Sequence, residues 1–271
     1  MTASTVKHNH EQEVASGDRF AFGDNWSQFL TLLDQQRIDA AKDSLRQMLE
    51  VGDLRGKTFL DIGSGSGLFS LAARLLGAKV VSFDYDPQSV ACTKELKRRF
   101  FENDHDWQVQ SGSVLDPDYL KGLGQFDIVY SWGVLHHTGN MWAALENVDA
   151  NVADNGKLFI ALYNHQPFAS RYWTSAKHFY NKHRWSRPLF VLVHGVHMTL
   201  PRMLLNMIRK RIYPRGMNIW YDLLDWLGGY PFEVCTPEQI FEFFKSKGYH
   251  LKKLKTVGGK SGCNEWVLQR G

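Results

Sequence analysis

The sequence predicts an α/β protein built on a doubly wound, mostly parallel sheet of seven strands. Two observations support this prediction: short apolar runs alternate with segments of helical period, and a glycine-rich turn directly follows the first run. Parallel strands need a crossover between them, and the helical segments are long enough to supply one. We therefore expect helices on both faces of the sheet, with a helical lid before the first strand and a helical cap after the fifth.

Length and composition suit one globular domain with additions. The chain has 271 residues, of which 44% are hydrophobic and 22% charged, and this balance excludes a disordered or fibrous protein. A net charge of +4 does not by itself predict nucleic-acid binding. Three cysteines without a CxxC pair, no secretory leader and no apolar run of membrane-spanning length predict a cytoplasmic location.

The chain ahead of the core changes composition near residue 18. Residues 1–18 are polar and lack periodicity, so we expect a mobile terminus. Residues 19–55 are predicted to form a helical lid, because apolar positions in 27–50 recur at helical spacing behind an aromatic stretch. The rings of Phe22 and Trp26 would suit a positively charged ligand, although packing of the lid on the sheet explains them equally well.

The core is predicted to occupy residues 56–164. The pair Asp86-Pro87 is typical of a helix start, and the turn-forming pair Asn155-Gly156 precedes the fifth strand. Strands are expected at 58–62, 79–83, 107–111, 126–131 and 157–163, with helices at 68–76, 87–101, 116–123 and 141–152.

The alternation stops after Tyr163. Residues 165–232 are rich in aromatic, Met, His and Arg side chains and are too long for a simple connection, so we expect a helical cap. Residues 233–271 are predicted to complete the sheet, starting with the capping pattern Thr236-Pro237-Glu238-Gln239. A helix to residue 247 and strands at 250–257 and 265–268 are expected there.

A glycine loop joins the first strand to the first core helix. Residues 59–67 read FLDIGSGSG, and such glycines allow a tight turn and the close approach of a ligand to the backbone. The G-x-G-x-G spacing differs from the G-x-G-x-x-G dinucleotide fingerprint, and neither the phosphate-loop pattern nor the G-x-S-x-G hydrolase elbow is present. NAD, ATP and a hydrolase are therefore not favoured.

Asp84 ends the second strand, about 20 residues after the loop, where a carboxylate can accept hydrogen bonds from ribose hydroxyls. A tight turn and a helix cap would explain the two features without a ligand. Because both fall at carboxyl ends of strands, where doubly wound sheets bind ligands, the sequence favours a nucleoside site.

These motifs resemble the class I S-adenosylmethionine-dependent methyltransferases over about residues 56–164. The resemblance rests on LDIGxGxG at 60–67, the acidic residue at 84 and FDIV at 126–129, and it implies a Rossmann-like fold. S-adenosylmethionine would then be the cofactor. Ser113-Val114 stands where the family often has an acidic-hydrophobic pair. The residues expected to bind the cofactor are Asp61, Gly63, Ser64, Gly65, Gly67, Asp84, Tyr85, Ser113, Val114, Ser131 and Trp132, with Phe22 and Trp26 from the lid.

The segment VLHH at 134–137 resembles small-molecule methyltransferases such as those of quinone biosynthesis. It differs from the (N/D)PP(Y/F) segment of enzymes that methylate nucleic-acid amines. His136 and His137 are the predicted catalytic residues, one of them as a general base for an acceptor hydroxyl. Alternatively, both histidines only close the cofactor pocket, since methyl transfer depends largely on alignment.

The sequence thus predicts a methyltransferase for a small-molecule acceptor, with O-methylation favoured. Methylation of S, C or N in a metabolite or lipid-like acceptor is the alternative, and a non-catalytic S-adenosylmethionine-binding regulator is the alternative of another class. No nucleic-acid partner is expected. No metal is expected either, because His194 and His197 lack a matching third ligand. The apolar and basic run at 191–213 leaves open a peripheral membrane contact or a solvated cap helix.

Overall fold

The computed structural model describes residues 2–23, 26, 29–196 and 219–271. Within these residues, the strands form one sheet of seven. They are β1 (Thr58–Ile62), β2 (Lys79–Asp84), β3 (Trp107–Ser111), β4 (Phe126–Trp132), β5 (Val152–Tyr163), β6 (Tyr249–Lys255) and β7 (Cys263–Arg270). The strand order is β3-β2-β1-β4-β5-β7-β6. Strands β1 to β5 pair in parallel, whereas β7 is antiparallel to both β5 and β6. The predicted doubly wound sheet is confirmed.

Helices cover both faces of this sheet. They are α1 (Ala3–Ser16), α2 (Gln35–Leu49), α3 (Leu68–Leu75), α4 (Pro87–Phe101), α5 (Pro117–Leu123), α6 (Met141–Asp149), α7 (Pro167–Lys182), α8 (Arg187–His194), α9 (Ile219–Gly228) and α10 (Pro237–Lys245). On one face, α2, α3 and α4 pack against side chains such as Phe59. On the other face, α5, α6 and α10 pack around Leu60. Neighbouring residues of a buried parallel strand point to opposite faces, so both must be apolar.

Residues 1–18, expected to be a mobile terminus, instead contain helix α1. The hydroxyl of Thr2 accepts the Thr5 N–H at the start of the helix, and Gly17 ends it in the left-handed conformation. Val6 and His10 are buried against the rest of the molecule. Because much of the contact surface of α1 is polar, hydrophobic periodicity did not reveal it.

Several predicted boundaries also change. The lid helix α2 begins at Gln35, because Asp34 caps it by accepting the Arg37 N–H. The predicted start at residue 27 lies outside the described residues. Strand β5 begins at Val152, so the predicted turn at Asn155 lies inside the strand, where pairing with β4 is irregular. Asn155 has a φ of +59°, which suits the local irregularity.

The stretch predicted as a cap contains α7, α8 and α9. Residues 197–218 lie outside the described residues, and with them His197 and most of the basic run at 191–213. After the cap, the capping box at Thr236 and Gln239 is present as predicted. A search of the described part of the chain finds no helix both long and apolar enough to cross a membrane.

Candidate active site

A cavity of about 640 Å³ lies at the carboxyl ends of β1, β2 and β4. The sheet and the glycine loop form one side of it, and α1, the lid and α9 form the other. The predicted site residues that line it are Phe22, Trp26, Asp61, Gly63, Ser64, Gly65, Asp84, Tyr85, Ser113, Val114, Trp132 and His137. This is the crevice in which doubly wound sheets bind ligands.

The glycine loop forms the cavity wall with its backbone. Gly63 and Gly65 have φ values of +76° and +54°, in the left-handed region that favours glycine. A Cβ on Gly63 would lie 2.4 Å from Cγ1 of Val134, and one on Gly65 would lie 3.1 Å from the Trp26 indole. The Phe83 carbonyl accepts the Gly63 N–H at 2.9 Å. The loop is thus fixed to β2 and leaves little space for side chains.

Two predicted cofactor residues lie behind this wall and support it. Gly67, with a φ of +81°, begins α3, and a Cβ there would lie 3.0 Å from Cα of Thr93. The fully buried Ser131 hydroxyl donates to the Ile62 carbonyl at 3.0 Å. Both residues therefore stabilise the loop and do not line the cavity themselves.

The carboxylate of Asp84 lines the cavity at the end of β2. It accepts the N–H groups of Gly65 and Asp86, each at 2.9 Å. Burial raises the pKa of Asp84 to about 6, the negative charge of Asp86 adds to the effect, and the two N–H groups oppose it. Each carboxylate oxygen has two acceptor sites, so the group can still accept a hydroxyl donor from a ligand.

Asp61 lies at the end of a buried hydrogen-bond network that sequence analysis missed. Trp107 Nε1 donates to Ser82 Oγ at 2.9 Å, Ser82 and Ser70 share a hydrogen bond of 2.7 Å, and Ser70 Oγ donates to Asp61 at 2.5 Å. Burial raises the pKa of Asp61 to about 7, and the Ser70 bond partly opposes this shift. The only sequence signal was serine at buried positions of a strand and a helix.

Ser113 and Val114 line the cavity beside Phe83 and Leu115. The Ser113 hydroxyl accepts the Leu115 N–H at 3.2 Å and so shapes the turn after β3. Val114 is buried and adds an apolar surface. This part of the wall is suited to a flat, apolar ring.

The two adjacent histidines have different surroundings. His137 lines the cavity, and its Nδ1 lies 2.6 Å from the Pro231 carbonyl. His136 lies behind the wall, fully buried, where its Nδ1 accepts the Tyr163 N–H at 3.3 Å. Burial lowers the pKa of both imidazoles, that of His137 to about 3. Arg19 donates to the His137 carbonyl at 2.9 Å and fixes the backbone there.

Helix α1 brings polar side chains to the cavity that sequence analysis did not single out. Glu13 accepts the Tyr85 hydroxyl at 3.0 Å and Arg19 Nε at 2.5 Å. His10 lies with its Nε2 3.5 Å from a carboxylate oxygen of Asp86. These contacts connect α1 to the turn after β2. They explain why a polar N-terminal helix stays on the protein.

The cap closes the cavity beyond the histidines. Tyr163, Leu223, Asp225 and Trp226 line this end together with Cys263. The rings of Tyr163 and Trp226 pack edge to face, with centroids 5.4 Å apart. No three His, Cys, Asp or Glu side chains of the described residues come together as a metal site.

The family model described as a methyltransferase domain matches residues 33–193, which is more than half of the chain. The chain belongs to the class I S-adenosylmethionine-dependent methyltransferases. The resemblance found in the sequence is thereby confirmed, and S-adenosylmethionine is the cofactor of this methyltransferase.

Solved structures show the same fold at low sequence identity. Magnesium protoporphyrin IX methyltransferase from Synechocystis PCC 6803, with SAH bound, has a TM-score of 0.52 and 13% identity over 88% of this chain and 83% of its own. The [4+2]-cyclase SpnF has a TM-score of 0.53 and 11% identity over 84% of this chain and 79% of its own. Identities this low show the fold alone.

Curated relatives match over a short segment. The ribosomal protein L11 methyltransferase of Alteromonas mediterranea is 54% identical over 48 residues, which are 17% of this chain and 16% of that protein. The chain therefore spans less than a fifth of the length of this relative. The acceptor of the present methyltransferase must be argued from its own cavity.

Proposed function

We propose that this methyltransferase transfers the methyl group of S-adenosylmethionine to a hydroxyl oxygen of a small molecule. The observation that carries the proposal is the 2.6 Å contact between Nδ1 of His137 and the Pro231 carbonyl. A carbonyl oxygen only accepts, so this contact supports the tautomer of His137 with its proton on Nδ1. Its Nε2 then carries a lone pair and can accept a hydrogen bond from an acceptor hydroxyl.

The low pKa of His137 keeps this tautomer neutral. Burial lowers the pKa to about 3, and the positive charges of Lys177 and Arg19 add to the effect. A neutral imidazole accepts at Nε2 throughout the physiological range. We therefore assign His137 the role of orienting the hydroxyl. Because an imidazole with so low a pKa is a weak base, it receives the proton only after the forming carbon–oxygen bond has made that proton strongly acidic. Buried His136 is assigned to support of the Tyr163 backbone.

The cavity lining suits the cofactor. Asp84 can accept ribose hydroxyls, and Phe83 and Val114 can pack against the adenine ring. The backbone of the glycine loop lets the methionine part approach closely, and the rings of Phe22 and Trp26 suit a cation. When bound, S-adenosylmethionine supplies a methyl group on a positively charged sulfur.

The reaction requires no redox partner. The carbon–oxygen bond forms with an oxygen lone pair, the carbon–sulfur bond breaks with its electrons remaining on sulfur, and the hydroxyl proton leaves. The sheet, lid and cap line the cavity and would align the two reactants there. A cavity of about 640 Å³ suits a metabolite as the acceptor beside the cofactor. Cys92 and Cys235 are free thiols, and we propose a reducing compartment such as the cytoplasm.

Incubation with methyl-labelled S-adenosylmethionine and fractionated cell extract tests this function. Label should enter small molecules, and the labelled group should resonate as an O-methyl group by NMR. Label in the protein or RNA fraction, or on nitrogen, sulfur or carbon, would contradict the proposal. Cofactor binding without transfer to any fraction would instead favour a regulatory protein.

Gly229→Ala tests whether the position of the His137 ring matters for methyl transfer. An added Cβ would lie 2.8 Å from the Asp225 carbonyl oxygen and 2.9 Å from Cε1 of the His137 ring, so the ring or the end of α9 must shift. We expect kcat to fall at least tenfold while the cofactor Kd changes less than twofold, since Gly229 follows α9 and Asp84 ends β2. Gly122→Ala is the matched control, because a Cβ there meets nothing within 4 Å. Equal activity of the two variants would rule out a positioned imidazole.

A further inference from the structure

Lys177 is a buried lysine behind the cap end of the cavity. It lies on α7 with 1% of its surface exposed. Its Nζ lies 4.6 Å from the ring centroid of Trp226 and 6.0 Å from that of Tyr163, both of which line the cavity. The rings of Phe232 and Trp173 complete the cage, at 4.8 and 5.9 Å. An ammonium group in this position lies behind two of the rings that line the cavity.

The fold does not need a charge at this position. Lys177 Nζ donates to the Trp226 carbonyl in the last turn of α9. One turn along α7, the neutral amide of Asn181 donates to the Gly228 carbonyl at 2.7 Å. A neutral side chain can therefore hold the same helix end. The choice of lysine calls for a second explanation.

Titratable groups surround Lys177 on each side. Asp225 on α9 and Cys263 on β7 favour its charged form. His136 and His137 lie near enough to interact with its charge and are kept neutral by burial, and Tyr163 faces it from β5. Burial is the largest influence and lowers the pKa of Lys177 to about 7. Both forms of the amine are accessible near neutral pH.

We propose that the charge of Lys177 discriminates between the cofactor and its demethylated product. This inference rests on the proposed function, because methyl transfer converts a positively charged sulfonium into a neutral thioether. With the sulfur on the cavity side of Tyr163 and Trp226, a buried ammonium behind these rings would repel the sulfonium and not the thioether. Charged Lys177 thus weakens binding of the cofactor relative to the product. Neutral Lys177 removes this penalty on the cofactor.

By linkage, cofactor binding must in turn favour the neutral amine and release a proton from Lys177 near pH 7. Binding of the product should release fewer protons than binding of the cofactor. The difference can be measured by calorimetry in buffers of different ionisation enthalpy, with no acceptor present.

The main test compares the Kd of S-adenosylmethionine with that of S-adenosylhomocysteine from pH 5.5 to 8.5. Asp84 lines the cavity and titrates in this range, so its charge also affects the Kd ratio. Asp61 titrates in the same range and faces the cavity, so substitutions of Lys177 must carry the test. We define the ratio as the Kd of S-adenosylmethionine divided by the Kd of S-adenosylhomocysteine. At low pH, this ratio should be roughly tenfold higher for wild type than for Lys177→Gln, and the two ratios should converge at high pH.

Lys177→Arg gives the opposite expectation. Its guanidinium stays charged at all these pH values, so the ratio should stay above that of wild type at high pH. Asn181→Leu loses the neighbouring hydrogen bond to α9 but keeps the charge, and it should follow wild type. The two Lys177 variants are independent, so failure of one to fold leaves the other.

The outcomes separate the two proposals. Identical ratios for wild type and both Lys177 variants would overturn the role of Lys177, even if methyl transfer is observed. The expected ratios without transfer to any acceptor would support Lys177 and overturn the proposed O-methylation. If neither ligand binds, both are overturned.

Discussion

Single residues at the cavity have electrostatic properties that depend on burial. Asp84 and Asp61 are carboxyl groups with raised pKa values, about 6 and about 7, while the pKa of Lys177 falls to about 7. Each shift has burial as its largest cause, and burial always disfavours the charged form. The protonation states of these three side chains therefore change at pH values of about 6 to 7.

Asp84→Ala should weaken binding of S-adenosylhomocysteine roughly a hundredfold or more, because two hydrogen bonds to a charged acceptor contribute about 1.5–3 kcal/mol each. Only the ionised carboxylate accepts both ribose hydroxyls. In wild type, affinity should therefore increase as pH rises through about 6, and the variant should lose this dependence. Isothermal titration calorimetry measures both effects.

Asp154→Asn, at an exposed position of β5, is the matched control for loss of a carboxylate. Its affinity should equal that of wild type at each pH. If Asp84→Ala also bound normally, the nucleoside would have been placed at the wrong end of the cavity.

Among the elements, α1 is the one that sequence analysis did not anticipate. It contacts the turn after β2 through His10 and Glu13, and residues of both α1 and that turn line the cavity. A bound cofactor would thus lie beneath the helix. Movement of the helix would then affect how fast the ligand leaves.

Replacing His10 and Glu13 by alanine should speed cofactor dissociation roughly thirtyfold, because about two polar contacts of about 1 kcal/mol each hold α1 in place. Stopped-flow displacement of the bound cofactor by excess product measures the rate. Lys7→Ala on the exposed side of α1 is the control and should leave it unchanged. A dissociation rate unaffected by the double substitution would show that the helix does not cover the ligand.

On the scale of the whole molecule, the described parts of the sheet, lid and cap all line the main cavity. A ligand there contacts elements from both ends of the chain, from Glu13 on α1 to Cys263 on β7. Ligand that binds the folded state alone stabilises all of these elements together.

S-adenosylmethionine at a hundredfold excess over its Kd should stabilise the protein by about 2.7 kcal/mol. For a chain of this size, Tm should rise by several degrees, roughly 5–10 °C. Differential scanning fluorimetry measures the shift. NAD at the same concentration is the control, since the loop spacing does not suit it. A comparable shift with NAD would indicate a dinucleotide site.

The chain order of strands and helices could be predicted because each element carries its own period, and the parallel sheet follows from the helices between strands. Boundaries were less well predicted where side chains decide them, as with Asp34 at the start of α2. The network from Trp107 to Asp61 joins four separate elements, and no local pattern records such contacts.

By itself, the sequence determined the glycine loop, the acidic residue after it and the methyltransferase family, because these depend on spacing along a strand-turn-helix unit. Only the tertiary structure decided that His137 faces the cavity while His136 is buried, that α1 covers the site, and that Lys177 lies behind the aromatic wall. These features depend on which distant side chains exclude water from one another. Burial of that kind arises only when the whole chain has folded.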